Sequence, residues 1–157
     1  MSSMKDAFSR AGFKDDKTES TAVTQNKAKE LEIEESYTQR AEAVILDLRK
    51  QLDRRYQNFT TSKIRNILTL VSEIYNDVVS DHNKTLSKEV QERIEYLKVR
   101  LIYESGREPD TVDPFVKKSG LIRIIDGIGN SKERFIKFAR YMEALVAYHR
   151  YHGGKEY

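Results

Sequence analysis

The sequence predicts an all-α fold, a compact bundle of about five helices behind a flexible polar segment. From Ser36 onward, large apolar residues recur at spacings of three and four, and each such run is bounded by capping residues, glycine or proline. Strand-like alternation competes nowhere in the chain. Residues 1–30 hold few large apolar side chains and many Lys, Asp, Ser and Thr. A segment of that kind buries too little to offset its ordering entropy, so it is predicted to be a mobile tail, with the helical domain spanning residues 31–157.

The first helix is predicted from Ser36, with Tyr37, Ala41, Val44, Ile45, Leu48 and Leu52 on one face and the Glu-rich stretch Lys29–Glu35 as a backward extension. The second opens with Thr60, Thr61 and Ser62, whose side-chain oxygens suit orphan N–H groups, and continues with Ile64, Ile67, Leu68, Val71, Tyr75, Val78 and Val79. The third begins near Ser87, carries Val90, Ile94, Leu97 and Leu101, and is expected to stop at Gly106. Its far side is apolar too, with Tyr96, Val99, Ile102 and Tyr103, which predicts either a central helix or one covered by a partner.

Pro109 and Pro114 bracket a turn, and Asp113 is the expected start of a fourth helix with Phe115, Val116, Leu121, Ile122, Ile124 and Ile125. Gly120 is a candidate break within it, and Gly127 or Gly129 its end. Asn130 with Glu133 reads as an N-cap and capping box for a fifth helix that reaches His152 and is stopped by Gly153 and Gly154.

A chain of 157 residues fits one domain with a single core. No stretch approaches the roughly 18 consecutive apolar residues that cross a bilayer, and the polar start beginning Met1-Ser2-Ser3 carries no secretory h-region, so the expected location is the cytoplasm, away from membranes. With no cysteine there is no disulfide framework, thiolate metal site or cysteine nucleophile.

The net charge of +3 is unevenly placed: residues 1–59 carry 11 basic and 11 acidic groups, so the whole excess lies beyond them. Between Lys132 and Lys155 six basic residues stand against two acidic ones, a balance that suits a polyanion as well as a solvated face. On the last helix Phe135, Phe138, Ala139, Met142, Leu145, Val146 and His149 form the core arc. The opposite arc gathers Lys137, Arg140, Ala144, Tyr148 and Tyr151, where cations hold phosphates and phenol rings stack on bases, or pack against another helix or subunit.

No catalytic constellation emerges. His149 and His152 stand three apart but lack a third ligand; the first belongs to the core arc and the second to the last helical turn. Gly127-Ile128-Gly129 lacks the third glycine and the lysine of a phosphate loop, and Glu104 with Glu108 reads as a charged exposed turn. Neither enzyme activity, metal nor cofactor is expected.

Three segments carry a family resemblance: Thr60-Thr-Ser-Lys-Ile-Arg-Asn66, Tyr96-Leu-Lys-Val-Arg-Leu-Ile-Tyr-Glu-Ser-Gly-Arg-Glu108, and Phe138-Ala-Arg-Tyr-Met-Glu-Ala-Leu-Val-Ala-Tyr-His-Arg-Tyr-His-Gly-Gly154. Together with their spacing they resemble the small subunit of type III-A (Csm) CRISPR effector complexes, over roughly residue 36 to the end of the sequence. The resemblance implies a non-catalytic helical subunit, present in several copies, that lines the inner filament beside guide RNA and target RNA and reads no sequence. Its implied partners are those RNAs, the backbone and large subunits, and neighbouring copies of itself. In that family cleavage of target RNA belongs to the backbone subunit, and the DNase and cyclic-oligoadenylate activities to the large one. A helical scaffold that meets mainly protein is the alternative.

Carried onto this chain, the RNA-facing pattern falls on Lys63 and Arg65 at the start of the second helix, where cations join free N–H groups and the positive dipole end. It also falls on Arg107, expected in a loop beyond Gly106 with a salt bridge to Glu104 or Glu108 as its alternative, on Lys117 and Lys118, and on Lys137, Arg140, Tyr148 and Arg150 of the last motif.

Overall fold

The computed structural model describes residues 37–157; the tail over residues 1–30 and the extension through Lys29–Glu35 lie outside the described residues. Among those described are six α-helices: α1 Tyr37–Leu52, α2 Arg65–Ser80, α3 Lys88–Arg107, α4 Val112–Ser119, α5 Leu121–Asp126 and α6 Lys132–Tyr151. Two 3-10 turns, Asp53–Asn58 and Thr61–Ile64, join α1 to α2.

Each long helix buries one stripe. Ala41, Ile45, Leu48 and Leu52 do so on α1, and Ile67, Val71, Ile74 and Val78 on α2, at the spacing that keeps residues on one face of a 3.6-residue turn. Helix α2 lies between α3 and α6, while α4 and α5 pack on α3 and α5 also touches α6. Side-chain contacts set α1 beside α6: the Arg40 guanidinium lies over the Tyr141 ring, Glu42 meets His152, and the Tyr56 hydroxyl donates to the His149 carbonyl.

Tyr56, Phe59, Phe115, Phe135 and Phe138 are the bulkiest fully buried side chains. Burying such a ring is worth about 1.5–3 kcal/mol, so these aromatics dominate the core. The Phe59 ring sits against Phe115 and His149, with centroids 4.8 and 4.7 Å away.

The candidate break at Gly120 is borne out: the residue adopts φ +69 and divides the predicted fourth helix into α4 and α5. Several other local expectations are corrected. Gly106 does not stop α3; the helix runs on through Arg107 and leaves through Glu108. The fifth predicted helix, α6, is capped by Ser131 rather than Asn130, since the Ser131 hydroxyl is the one that accepts the Arg134 N–H. Thr60, Thr61 and Ser62 do not cap α2 with their side chains. The N–H groups of Thr61 and Ser62 donate instead to the carbonyls of Lys155 and Glu156, at 3.0 and 2.9 Å.

The two-sided character of α3 resolves into an inner stripe of Ile94, Leu97 and Leu101, fully covered, and an outer row of Tyr96, Val99, Ile102 and Tyr103, each more than half exposed.

Candidate nucleic-acid interface

The path of the backbone brings several helix ends together. Helices α1, α3 and α6 finish where α2 begins: the turns after α1 lead directly into α2, the residues after α6 bond to Thr61 and Ser62, and Glu108 at the end of α3 meets Lys63. Lys63, Arg65 and Arg107 are thereby collected at one end of the bundle, with Arg49, Lys50 and Arg55 contributed by the end of α1 and the turn after it. Helix C-termini favour cations in their last turn, which accounts for Arg49, Lys50 and Arg107, whereas Lys63 and Arg65 stand at the N-terminal end of α2, where the dipole does not favour them and acidic partners do.

Each of the three carries an acidic neighbour. Lys63 Nζ donates to Glu108 Oε2 at 3.2 Å, and Arg65 to Glu156 Oε1 at 3.1 Å. Arg107 lies 3.9 Å from Glu104, so the helix-terminus salt bridge is formed, although loosely. Glu104 is almost wholly buried and also accepts from Arg100 at 3.3 Å. A buried carboxylate needs such partners, and here two guanidinium groups on the same helix supply them.

The remaining cations are dispersed. Lys117 pairs with Asp113 within α4, at 2.8 Å, and Lys118 beside it is exposed. On α6, Lys137 pairs with Glu133 at 3.2 Å and Arg140 is exposed, while Arg150 donates to the Gly154 carbonyl at 3.0 Å. At 1.5 Å per residue, Arg140 stands roughly 15 Å along α6 from Arg150, so the last motif does not gather its cations at one point.

The second face of α6 is partly closed. Ala144 is buried, and Tyr148 is half-buried, packed against the core and stacked on His152 with ring centroids 6.2 Å apart. The ring that reaches outward is Tyr151, 79% exposed. Sequence reasoning placed Tyr148 and Tyr151 on one arc and could not tell them apart, because the difference is made by packing against the rest of the core.

Arg100 and Tyr157 are functional candidates that the sequence did not single out. Arg100 lies over the Tyr103 ring at 5.1 Å, and Tyr157 under the Arg65 guanidinium at 5.3 Å. For Arg100 the signal was available in its four-residue spacing to Glu104; for Tyr157 there was none.

No group of three or more His, Asp or Glu side chains able to hold a metal occurs among the described residues, and no described helix is long and apolar enough to cross a membrane. An open groove of about 600 Å³ lies between α2 and α6, lined mainly by Leu68, Val71, Tyr75, Ala139, Met142 and Val146.

Residues 38–155 match the family model described as Csm2 Type III-A. The chain belongs to the Csm2 type III-A family. It is a small subunit of the Csm kind, and all three motif segments fall inside the matched span. A protein of Mycobacterium tuberculosis (strain CDC 1551 / Oshkosh) named "CRISPR system Cms protein Csm2" is 36% identical over 121 residues, covering 76% of this chain and 93% of that protein. A protein of the same name from Enterococcus italicus is 40% identical over 99 residues, covering 62% and 70%. A third Csm2 protein, from Streptococcus thermophilus, is 36% identical over 124 residues, covering 78% and 96%.

Proposed function

We propose that this Csm2 family member is a non-catalytic subunit of a type III-A CRISPR effector ribonucleoprotein, which holds guide RNA and target RNA by their backbones without sequence preference and so serves antiviral defence in the cytoplasm. Its partners in this reading are the two RNAs, the backbone and large subunits, and neighbouring copies of itself. The observation that carries RNA binding is the convergence of Lys63, Arg65 and Arg107 at the start of α2, on a surface reached by the ends of three other helices. Phosphate contacts of this type position a strand and carry no sequence information. Membership of the family supports the place in the complex.

The test is binding of the purified chain to a uniform single-stranded RNA across a salt series. Removing one phosphate contact by Arg65→Ala flattens the slope of log K against log salt by about 0.7–0.9. Equal slopes for the wild type and for alanine variants of Lys63, Arg65 and Arg107 sink the assignment.

A second reading, a scaffold that meets mainly protein, is favoured by the outer row of α3, where Tyr96, Val99, Ile102 and Tyr103 are exposed together. Crosslinking of the assembled complex separates the two, giving RNA adducts at the start of α2 in one case and only protein adducts along α3 in the other.

A further inference from the structure

Beyond α6 the chain doubles back. Gly153 takes φ +89, and the Gly154 N–H donates to the His149 carbonyl at 2.7 Å, so Lys155, Glu156 and Tyr157 are laid across the start of α2. Thr60 and Lys155 pair as an isolated parallel bridge. The carbonyls of Lys155 and Glu156 accept from the N–H groups of Thr61 and Ser62, and the side chains of Glu156 and Tyr157 both turn to Arg65. Glu156 places a carboxylate oxygen 3.1 Å from the guanidinium, and the Tyr157 ring centroid lies 5.3 Å from its carbon.

A guanidinium has two distinct ways of binding: charged N–H donors at its edge for an anionic oxygen, and a flat face for a π system. The residues after α6 satisfy both at once. A nucleotide presents the same pair, a phosphate oxygen and a base. The side chains of Arg65 and Glu156 are 48% and 50% exposed and Tyr157 is 78% exposed, so water and ligand reach the arrangement freely. Neither Glu156 nor Tyr157 belongs to the span matched by the family model, which ends at residue 155.

We propose that Glu156 and Tyr157 occupy a nucleotide subsite centred on Arg65, and that an unpaired RNA nucleotide displaces them, its phosphate taking the place of the carboxylate and its base the place of the phenol ring. This rests on the reading that the chain binds RNA. The backbone donors of Thr61 and Ser62 keep their carbonyl partners, so the subsite is built from the Arg65 side chain and not from a helix terminus.

The experiment uses the full chain and a 20-nucleotide uridine homopolymer. Glu156→Gln tightens binding by about two- to fivefold, the range an exposed ion pair supports. Glu89→Gln, which removes the same charge near the start of α3 at the other end of that helix, controls for general electrostatics and gives a smaller gain. In an Arg65→Ala background the effect of Glu156→Gln falls to that of the control. Tyr157 ring resonances shift when the RNA is added to wild type, as the ring leaves the guanidinium. Binding that is intact but equally enhanced by the two acid variants, with Tyr157 unmoved, overturns the subsite and leaves the RNA reading standing. Absence of binding by the wild type and every variant overturns both.

Discussion

The imidazole of His149 donates its Nε2–H to the carbonyl of Phe59 at 2.8 Å, across 90 residues of sequence. A carbonyl only accepts, so this bond fixes the tautomer that the buried ring adopts. His149 is thereby a structural donor, and its titration becomes a property of the whole fold.

Burial lowers the pKa of His149 from its ordinary 6.5, against the opposing effect of the Phe59 bond and with a smaller lowering from Arg150. At neutral and higher pH both folded and unfolded chains hold the ring neutral, and this group contributes no pH dependence. Below about 6.5 the unfolded chain takes up the proton first, so stability falls until the depressed folded pKa is reached. Urea midpoints between pH 5 and 8 are expected to decline on the acid side, and His149→Gln is expected to shrink that decline. A profile identical in the variant refutes this role.

Two glycines are expected to respond to alanine in opposite directions. Gly106 lies inside α3 with open space around it, so Gly106→Ala stabilises by about 0.5–1 kcal/mol through helix propensity. Gly120 holds φ +69, so Gly120→Ala destabilises by about 1–2 kcal/mol from backbone strain. Thermal unfolding of the two variants checks both signs.

Gly154 is buried against His149, and a Cβ there would clash with its ring and with its carbonyl oxygen. Gly154→Ala is expected to cost about 1–3 kcal/mol, as overpacking does, and to loosen the hold of residues 155 and 156 on Thr61 and Ser62. Faster amide exchange at Thr61 and Ser62, measured alongside the unfolding midpoint, tests the coupling.

The two tyrosines of α6 separate packing from binding. Tyr148→Ala removes a half-buried ring packed on the core and is expected to destabilise by about 1–3 kcal/mol. Tyr151→Ala should leave stability within about 0.5 kcal/mol and, if a base stacks on the ring, weaken RNA binding by about 1–3 kcal/mol. Denaturation and RNA titration of the same two proteins give all four values.

The helices were legible because their buried residues repeat at helical spacing, as on α2 and on the core arc of α6. What escaped was set by contacts distant in sequence or by choices between neighbours. Tyr56 and Phe59 are among the deepest core residues, yet one lies within a 3-10 turn and the other directly after it, where no period marks them. Ser131 and Asn130 are both competent caps, and only the local backbone selects between them. The cations of the candidate interface were visible as residue types, and so was Glu104 as a local partner of Arg107, whereas the distant partners of the other two were not: Arg65 finds Glu156 at a separation of 91 residues and Lys63 finds Glu108 at 45. Likewise, no helical wheel of α6 alone reveals that Tyr148 faces its neighbours while Tyr151 faces water.

The backbone pairing of Thr61 and Ser62 with the residues after α6 also has a temporal side. Synthesis proceeds from the first residue to the last, and local helices form long before distant segments meet. The 3-10 turn leading into α2 therefore emerges with the N–H groups of Thr61 and Ser62 bare, and their partners at Lys155 and Glu156 are made more than ninety residues later. The surface bearing Lys63 and Arg65 is completed by residues 155 and 156, so a nascent protein that has not reached them carries α2 without a finished site.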